Sequence, residues 1–139
     1  MTFGVPLTLF GNVKKDAEGL DIKKGGIFPL VHGVRALALK YRCRQTNTYR
    51  RIEELIDKGA IHERLGRNLE SALSLFMQLR LDTQLQQLQD AGTDDGSKVT
   101  HNRIQVKHLN RLDRDLLREA LHVIKEFKEW LALELHIRG

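Results

Sequence analysis

One cysteine, Cys43, is all that this 139-residue chain contains. An internal disulfide is therefore excluded, and so is a metal site built on several thiolates. The expected state is a reduced thiol in a reducing cytosol. Only two prolines interrupt the chain, which leaves room for long helices. No apolar run approaches the roughly 20 residues that a membrane-spanning helix needs, so no membrane partner is expected. The N-terminus lacks the basic-then-apolar order of a secretory signal. Carboxylates are missing from one long stretch. Between Asp21 and Glu53 there are eight basic residues and no acid.

What is present describes one folded domain. Apolar residues make up 41% and charged residues 29%, the balance of a soluble globular chain with a single core. The net charge of +5 is unevenly spread. The first 60 residues hold 11 basic and 6 acidic side chains, and the remainder holds 12 of each. A block of one sign attracts an anion, and phosphate is the commonest. A solvated basic surface is the competing reading.

Residues 1–20 show no helical period. Phe3, Val5, Leu7, Leu9 and Phe10 surround Pro6, which suggests an extended apolar arm lying across a core, and a C-terminal fragment of a larger protein. The expected division is an arm with a basic Gly-rich segment over 1–26 and a helical bundle over 27–139. A first helix is expected from Pro29, apolar nearly all round and therefore central. It carries Arg35 where a buried face would hold something apolar, on one stripe with Val31, Leu39 and Arg42. Thr46, Asn47 and Thr48 are candidate N-caps for a second helix over 48–58, and Gly59 is its C-terminal stop. A third helix over 62–90 carries Leu65, Leu69, Ala72, Leu73, Phe76, Leu79, Leu85 and Leu88 on one face, with Gly66 weakening its start. A last helix over 106–137 carries Leu109, Leu112, Leu116, Leu117, Ala120, Ile124, Phe127, Leu131 and Leu135. The expectation is an all-α antiparallel bundle of four to five helices with an extended N-terminal arm.

Two clusters invite a functional reading. Lys23 and Lys24 stand beside Gly25 and Gly26, whose bare backbones let amides approach a phosphate, next to a helix N-terminus. The P-loop frame is absent. A surface turn is the plainer alternative. Arg80 and Gln84 lie one turn apart near an apolar stripe. Such an arginine either pairs with a carboxylate or is held toward a phosphate or base. Two further patterns do not carry chemistry. Gly96-Ser97 with Asp113 and Asp115 imitates a two-metal nucleotidyltransferase, but the two aspartates fall on a helix about 200° apart and cannot converge on one metal. Arg103 and His108 have the spacing of the pair in helical ribonucleases of the HEPN family, whose motif normally has a polar residue where Ile104 stands. His32, His62, His101, His122 and His136 lack metal-ligand spacing and read as surface or interface residues.

Four blocks taken together are more specific: DIKKGGIFPLVHGVRALAL, TNTYRRIEELIDKGAI, LRLDTQ and LDRDLLREALHVIKEFKEWL. In order and spacing they resemble the nucleotidyltransferase substrate-binding domain family, from about Val5 to the end. The resemblance implies a noncatalytic helical module, C-terminal to a catalytic domain similar to that of PII-protein uridylyltransferases. The whole protein is then expected to be a bacterial signal-transduction protein, often with cyclic-nucleotide-binding and CBS domains upstream. It implies substrate or nucleotide binding by Lys23, Lys24, Gly25, Gly26 and Arg35, then Thr46 and Thr48, then Arg80 and Gln84. Catalytic residues, a metal and a cofactor are not expected in this domain. Magnesium and nucleotide belong to the catalytic domain. The implied partners are that domain in cis, a nucleotide or acceptor protein, and a second copy in a homodimer. Nucleic acid is not expected. A dimerisation or docking module with structural arginines is the alternative function, and a HEPN-like ribonuclease the third.

Overall fold

The computed structural model describes residues 19–91 and 103–136. The apolar arm with Phe3, Val5, Leu7, Leu9 and Phe10, and the loop with Gly96 and Ser97, lie outside the described residues. The fold is all-α. Helix α1 spans Phe28–Lys40, α2 Thr48–Asp57, α3 Glu63–Ala91 and α4 Arg111–Glu134. Ahead of α1 come a two-residue strand β1, Leu20–Asp21, and a π-helical turn, Lys23–Ile27. Ahead of α4 come strand β2, Arg103–Ile104, and a 3₁₀ turn, Val106–His108. β1 and β2 pair antiparallel, Leu20 opposite Ile104.

Local chemistry sets most boundaries. Pro29 sits in the first turn of α1, where its missing N–H costs no helical bond. The chain leaves α1 through Arg42, whose φ of 56° is left-handed, and the Cys43 amide closes back on Ala38 O at 2.8 Å. Asn47 is the cap of α2, its Oδ1 accepting from the Arg50 amide at 3.2 Å. Gly59, at φ 71°, stops α2. Asn110 caps α4 by accepting from the Asp113 amide at 2.7 Å, so the last helix starts five residues later than its apolar period suggests.

The helices form a ring in which α1 touches α2, α2 touches α3, α3 touches α4 and α4 touches α1. Named contacts give the directions. Tyr49 at the start of α2 bonds Ser74 of α3 at 3.0 Å. A Cβ on Gly66 would meet Ile56 at 2.5 Å, so α2 and α3 are antiparallel. A Cβ on Gly33 would meet Phe127 at 2.5 Å, and Tyr41 donates to Glu134 Oε1 at 2.6 Å, so α1 and α4 run together. Lys58 donates to Tyr41 O at 3.1 Å, which gathers the ends of α1, α2 and α4 at one end of the bundle. We call it the lower end. Gly66 therefore lets α2 approach closely, and α3 runs through it unbroken.

Leu30, Leu37, Ile52, Leu55, Leu69, Phe76, Leu121, Ile124 and Phe127 are fully buried at the centre. Each contributes about 1.5–3 kcal/mol over leaving it in water. Leu20, Ile22 and Ile27 belong to the same core, so the stretch before Pro29 is built into the bundle. The inward stripes are shorter than expected. Leu85 and Leu88 are 49% and 62% exposed, and Leu112 and Leu116 are 66% and 40% exposed. The reason is length. The upper ends of α1 and α2 lie level with Ser74 and Phe76, and α3 continues above them.

Candidate functional site

The upper end is where most of the sequence-named residues meet. The π turn presses onto α3 there: a Cβ on Gly26 would lie 2.9 Å from the Phe76 ring. Thr48 opens α2 at the same level, beside the Tyr49–Ser74 bond. At 3.6 residues per turn, Arg80 and Gln84 sit about 40° and 80° round α3 from Phe76, toward Ser74 at about 160°. They rise roughly 6 and 12 Å above Phe76. Both are half-buried. They thus form a wall between the π turn on one side and the start of α2, with Thr46 and Thr48, on the other. Lys24 and Thr46 are exposed, and Lys23 and Thr48 half-buried.

Two expectations are corrected. Two amides of the Gly-Gly turn are not free for a phosphate. Asp21 Oδ1 already accepts from the amides of Lys23 at 3.0 Å and Lys24 at 3.1 Å. A carboxylate at a helix start does there what a bound anion would do. Gly26 is required by the Phe76 ring, while Gly25 has only an ordinary contact with Leu20 at 3.7 Å. The two ammonium groups remain available to an anion. Arg35, second, is exposed and not on the buried face. The inward face of α1 is Leu30, Gly33, Val34, Leu37 and Ala38, set by the close approach of Gly33 to Phe127. Arg42 falls in the turn after α1, off the expected stripe.

Above the start of α2, the side of α3 that α2 covers lower down carries Met77, Leu81, Leu85 and Leu88, all exposed. This is an apolar wall in line with α2 and next to Arg80 and Gln84. A shallow open depression of about 330 Å³ lies elsewhere, along the outside of α2, lined by Gln45, Arg50, Glu53, Glu54 and Asp57. None of the sequence-named residues lines it.

Other titratable groups have structural work. Arg67 joins α2 to α3 through Glu53, with Glu70 at 3.0 Å and Glu63 at 3.6 Å on its own helix. Burial and the neighbouring Glu53 hold Glu70 above the usual carboxylate range, while hydrogen bonds from Glu70 and Arg67 hold Glu53 below it. Burial, with Glu54 next, pushes the Cys43 thiol up, away from reactivity. Asp113 and Asp115 lie on α4 as expected. Arg103 donates to Gly19 O at 3.2 Å from a strand, and His108 is exposed on the 3₁₀ turn. Among the described residues no three His, Cys, Asp or Glu side chains cluster as a metal site. No helix among them is long and apolar enough to cross a membrane.

A family comparison matches most of the chain. The model described as "Putative nucleotidyltransferase substrate binding domain" matches residues 1–135. The chain belongs to this family. Comparison with curated proteins and with solved structures returned no match. In this substrate binding domain, two residues that the sequence did not single out stand beside the named cations. Phe28 is 38% exposed, and its ring stacks on His32 at 5.3 Å between centroids and 11° between planes. Lys23 Nζ lies 5.3 Å from the Phe28 centroid. The signal was partial, since spacing gives a shared face but not its outward direction. Positions 28, 32, 35 and 39 share one helical face, and that face carries all the polar ring and guanidinium groups of α1.

Proposed function

We propose that this domain is the noncatalytic half of a bacterial signal-transduction nucleotidyltransferase of the PII-protein uridylyltransferase-like kind. The catalytic domain in cis supplies magnesium and the transfer chemistry. The bundle holds the nucleotide or the acceptor against it. Lys23, Lys24 and Arg35 meet the triphosphate or another anionic group. Arg80 and Gln84, flanked by Thr46 and Thr48, orient a polar group by hydrogen bonding. The observation that carries this reading is the gathering of these groups, Arg35 excepted, at one end of the bundle, beside the uncovered wall of Met77, Leu81, Leu85 and Leu88. An apolar wall rimmed by polar groups is how a docked domain is received, and the catalytic domain seated there would close a site over the cations.

The test is a nucleotide titration of the two-domain polypeptide and of its Arg35→Ala, Arg80→Ala double variant. The expected result is weaker binding and slower turnover in a folded variant. Unchanged affinity and turnover reject the assigned roles. The same apolar wall also favours a second reading, a docking or dimerisation module whose arginines are structural. Light scattering of the isolated chain separates them, because that module self-associates through the wall and is indifferent to nucleotide.

A further inference from the structure

The outward face of α1 is chemically unlike the rest of the surface. From residue 22 to residue 52 the chain has no carboxylate. Several cations beyond α1 are paired with carboxylates: Arg67 with three glutamates, Lys58 with Glu54 and Lys125 with Glu129. Arg35 has no hydrogen bond or ion pair to any described residue, and it is not shielded by burial. One turn before it lies the His32 ring, then Phe28, then the Lys23 ammonium over that ring. The strip therefore runs cation, ring, ring, cation. It covers roughly 10 Å of helix from Phe28 to Arg35. The two rings are stacked on each other with Lys23 over Phe28, so a planar π-system would extend the stack on the exposed side of His32. Cations at the edges of the stack suit phosphates attached to that ring system.

We propose that His32, backed by the Phe28 ring, is a stacking platform for the base of a nucleotide, with Arg35 and Lys23 taking its phosphates. This rests on the nucleotide reading above and names the part of the ligand that the lysines and arginines alone do not explain. Phosphate-binding cations would hold any polyphosphate. The ring pair adds a preference for one that carries a base. The strip is convex and open, so it makes half a site, and the isolated chain is expected to bind weakly but with the same preference.

The experiment titrates the chain with MgATP, MgUTP and magnesium tripolyphosphate, reading the ring proton shifts of Phe28 and His32 by NMR. The nucleoside triphosphates are expected to bind about tenfold tighter than tripolyphosphate, the scale of one base stacked on an aromatic side chain. His32→Ala and Phe28→Ala remove that margin and leave tripolyphosphate binding unchanged. His32→Tyr keeps it. Arg35→Ala weakens all three ligands alike, and His122→Ala, an exposed histidine on α4, changes nothing. Both ring residues lie on the solvent face, and circular dichroism checks that each variant remains folded. Equal affinity for nucleotides and tripolyphosphate, or unchanged binding in folded His32→Ala and Phe28→Ala, overturns the platform. If Arg35→Ala still weakens tripolyphosphate in that case, the phosphate-holding role survives without it. If no ligand binds and no ring proton moves, the platform and the nucleotide reading both fall.

Discussion

Replacing Gly26 by alanine separates two explanations of the Gly-Gly turn. If the glycines exist to let a phosphate reach the backbone, both are surface positions and neither substitution costs stability. The geometry says otherwise. A Cβ at position 26 lies 2.9 Å from two atoms of the Phe76 ring, and Phe76 is fully buried. The ring cannot swing aside without moving the core. Overpacking of this kind costs about 1–3 kcal/mol. Against it stands the gain of about 0.5–1 kcal/mol from replacing glycine in a helical turn. The net expectation for Gly26→Ala is a loss of about 1–2 kcal/mol in urea unfolding, with a lower midpoint at constant slope. Gly25 is the internal control. Its Cβ would meet only Leu20, at 3.7 Å, so Gly25→Ala is neutral or slightly stabilising. Shrinking the obstacle in the double variant Gly26→Ala, Phe76→Leu recovers part of the Gly26 cost by non-additivity. Equal stabilities of the two single alanine variants would refute the packing argument and return the turn to the anion-loop reading.

Three further outcomes follow from the same coordinates. The Tyr41 phenol is held above its usual value by its hydrogen bond to Glu134, then by burial, then by the Glu134 charge. A raised folded pKa stabilises below the unfolded value and loses that contribution as pH rises through the folded one. The wild type is therefore more stable than Tyr41→Phe near neutrality, and the gap closes above about pH 10; a gap independent of pH would refute the linkage. Asn47→Ala removes the α2 cap and costs about 1 kcal/mol, whereas Thr46→Ala costs little; the reverse order in thermal melts would show that the cap is misassigned. Leu81→Glu with Leu85→Glu leaves the fold within about 0.5 kcal/mol per site, because both side chains are on the surface. In the two-domain polypeptide the same pair loosens the catalytic domain, seen as faster proteolysis of the joint; identical digestion patterns would exclude docking there.

The elements that were legible in the sequence are those whose signals are local. Asn47, Gly59 and Pro29 punctuate the chain within a turn of where they act, so α1, α2 and most of α3 fall where the periodicity puts them. The errors about the candidate site depend on a neighbour. The α1 sequence looks apolar all round, and nothing within it says which side faces inward. That is decided by Gly33 closing on Phe127, a residue 94 positions away, and it turns Arg35 outward. The Gly-Gly turn reads as permissive backbone until Phe76 is known to lie behind Gly26. The amides look free until Asp21 is seen to accept from both. The candidate site was legible as a set of residue types and not as a geometry. Lys23 and Arg80 could be named, but the aromatic pair between Lys23 and Arg35 needed the face of α1 to be known.

One misreading was avoidable by arithmetic. At about 1.5 Å per residue, α2 with 10 residues covers roughly 15 Å and α1 with 13 covers roughly 20 Å, while α3 with 29 extends over roughly 44 Å. The short α2 packed against the lower half of α3, with the short α1 across the core from it, cannot bury Leu85 and Leu88 as well, so a stripe that keeps its period to residue 88 must outrun its partners. The burial needed for folding accounts for that stripe only up to about Leu79. An exposed leucine on a helix is ordinary when single, but Met77, Leu81, Leu85 and Leu88 keep one face over three turns. That regularity has no use within the described residues. It begins at the level where the π turn, the start of α2, Arg80 and Gln84 converge, so the part of the hairpin that folding leaves uncovered is also the part that carries the polar groups assigned to the ligand. An interface and a binding site that share one end of a bundle constrain each other: whatever seats on the leucines is brought within reach of Arg80, and a ligand held at Arg80 is brought against whatever seats on the leucines.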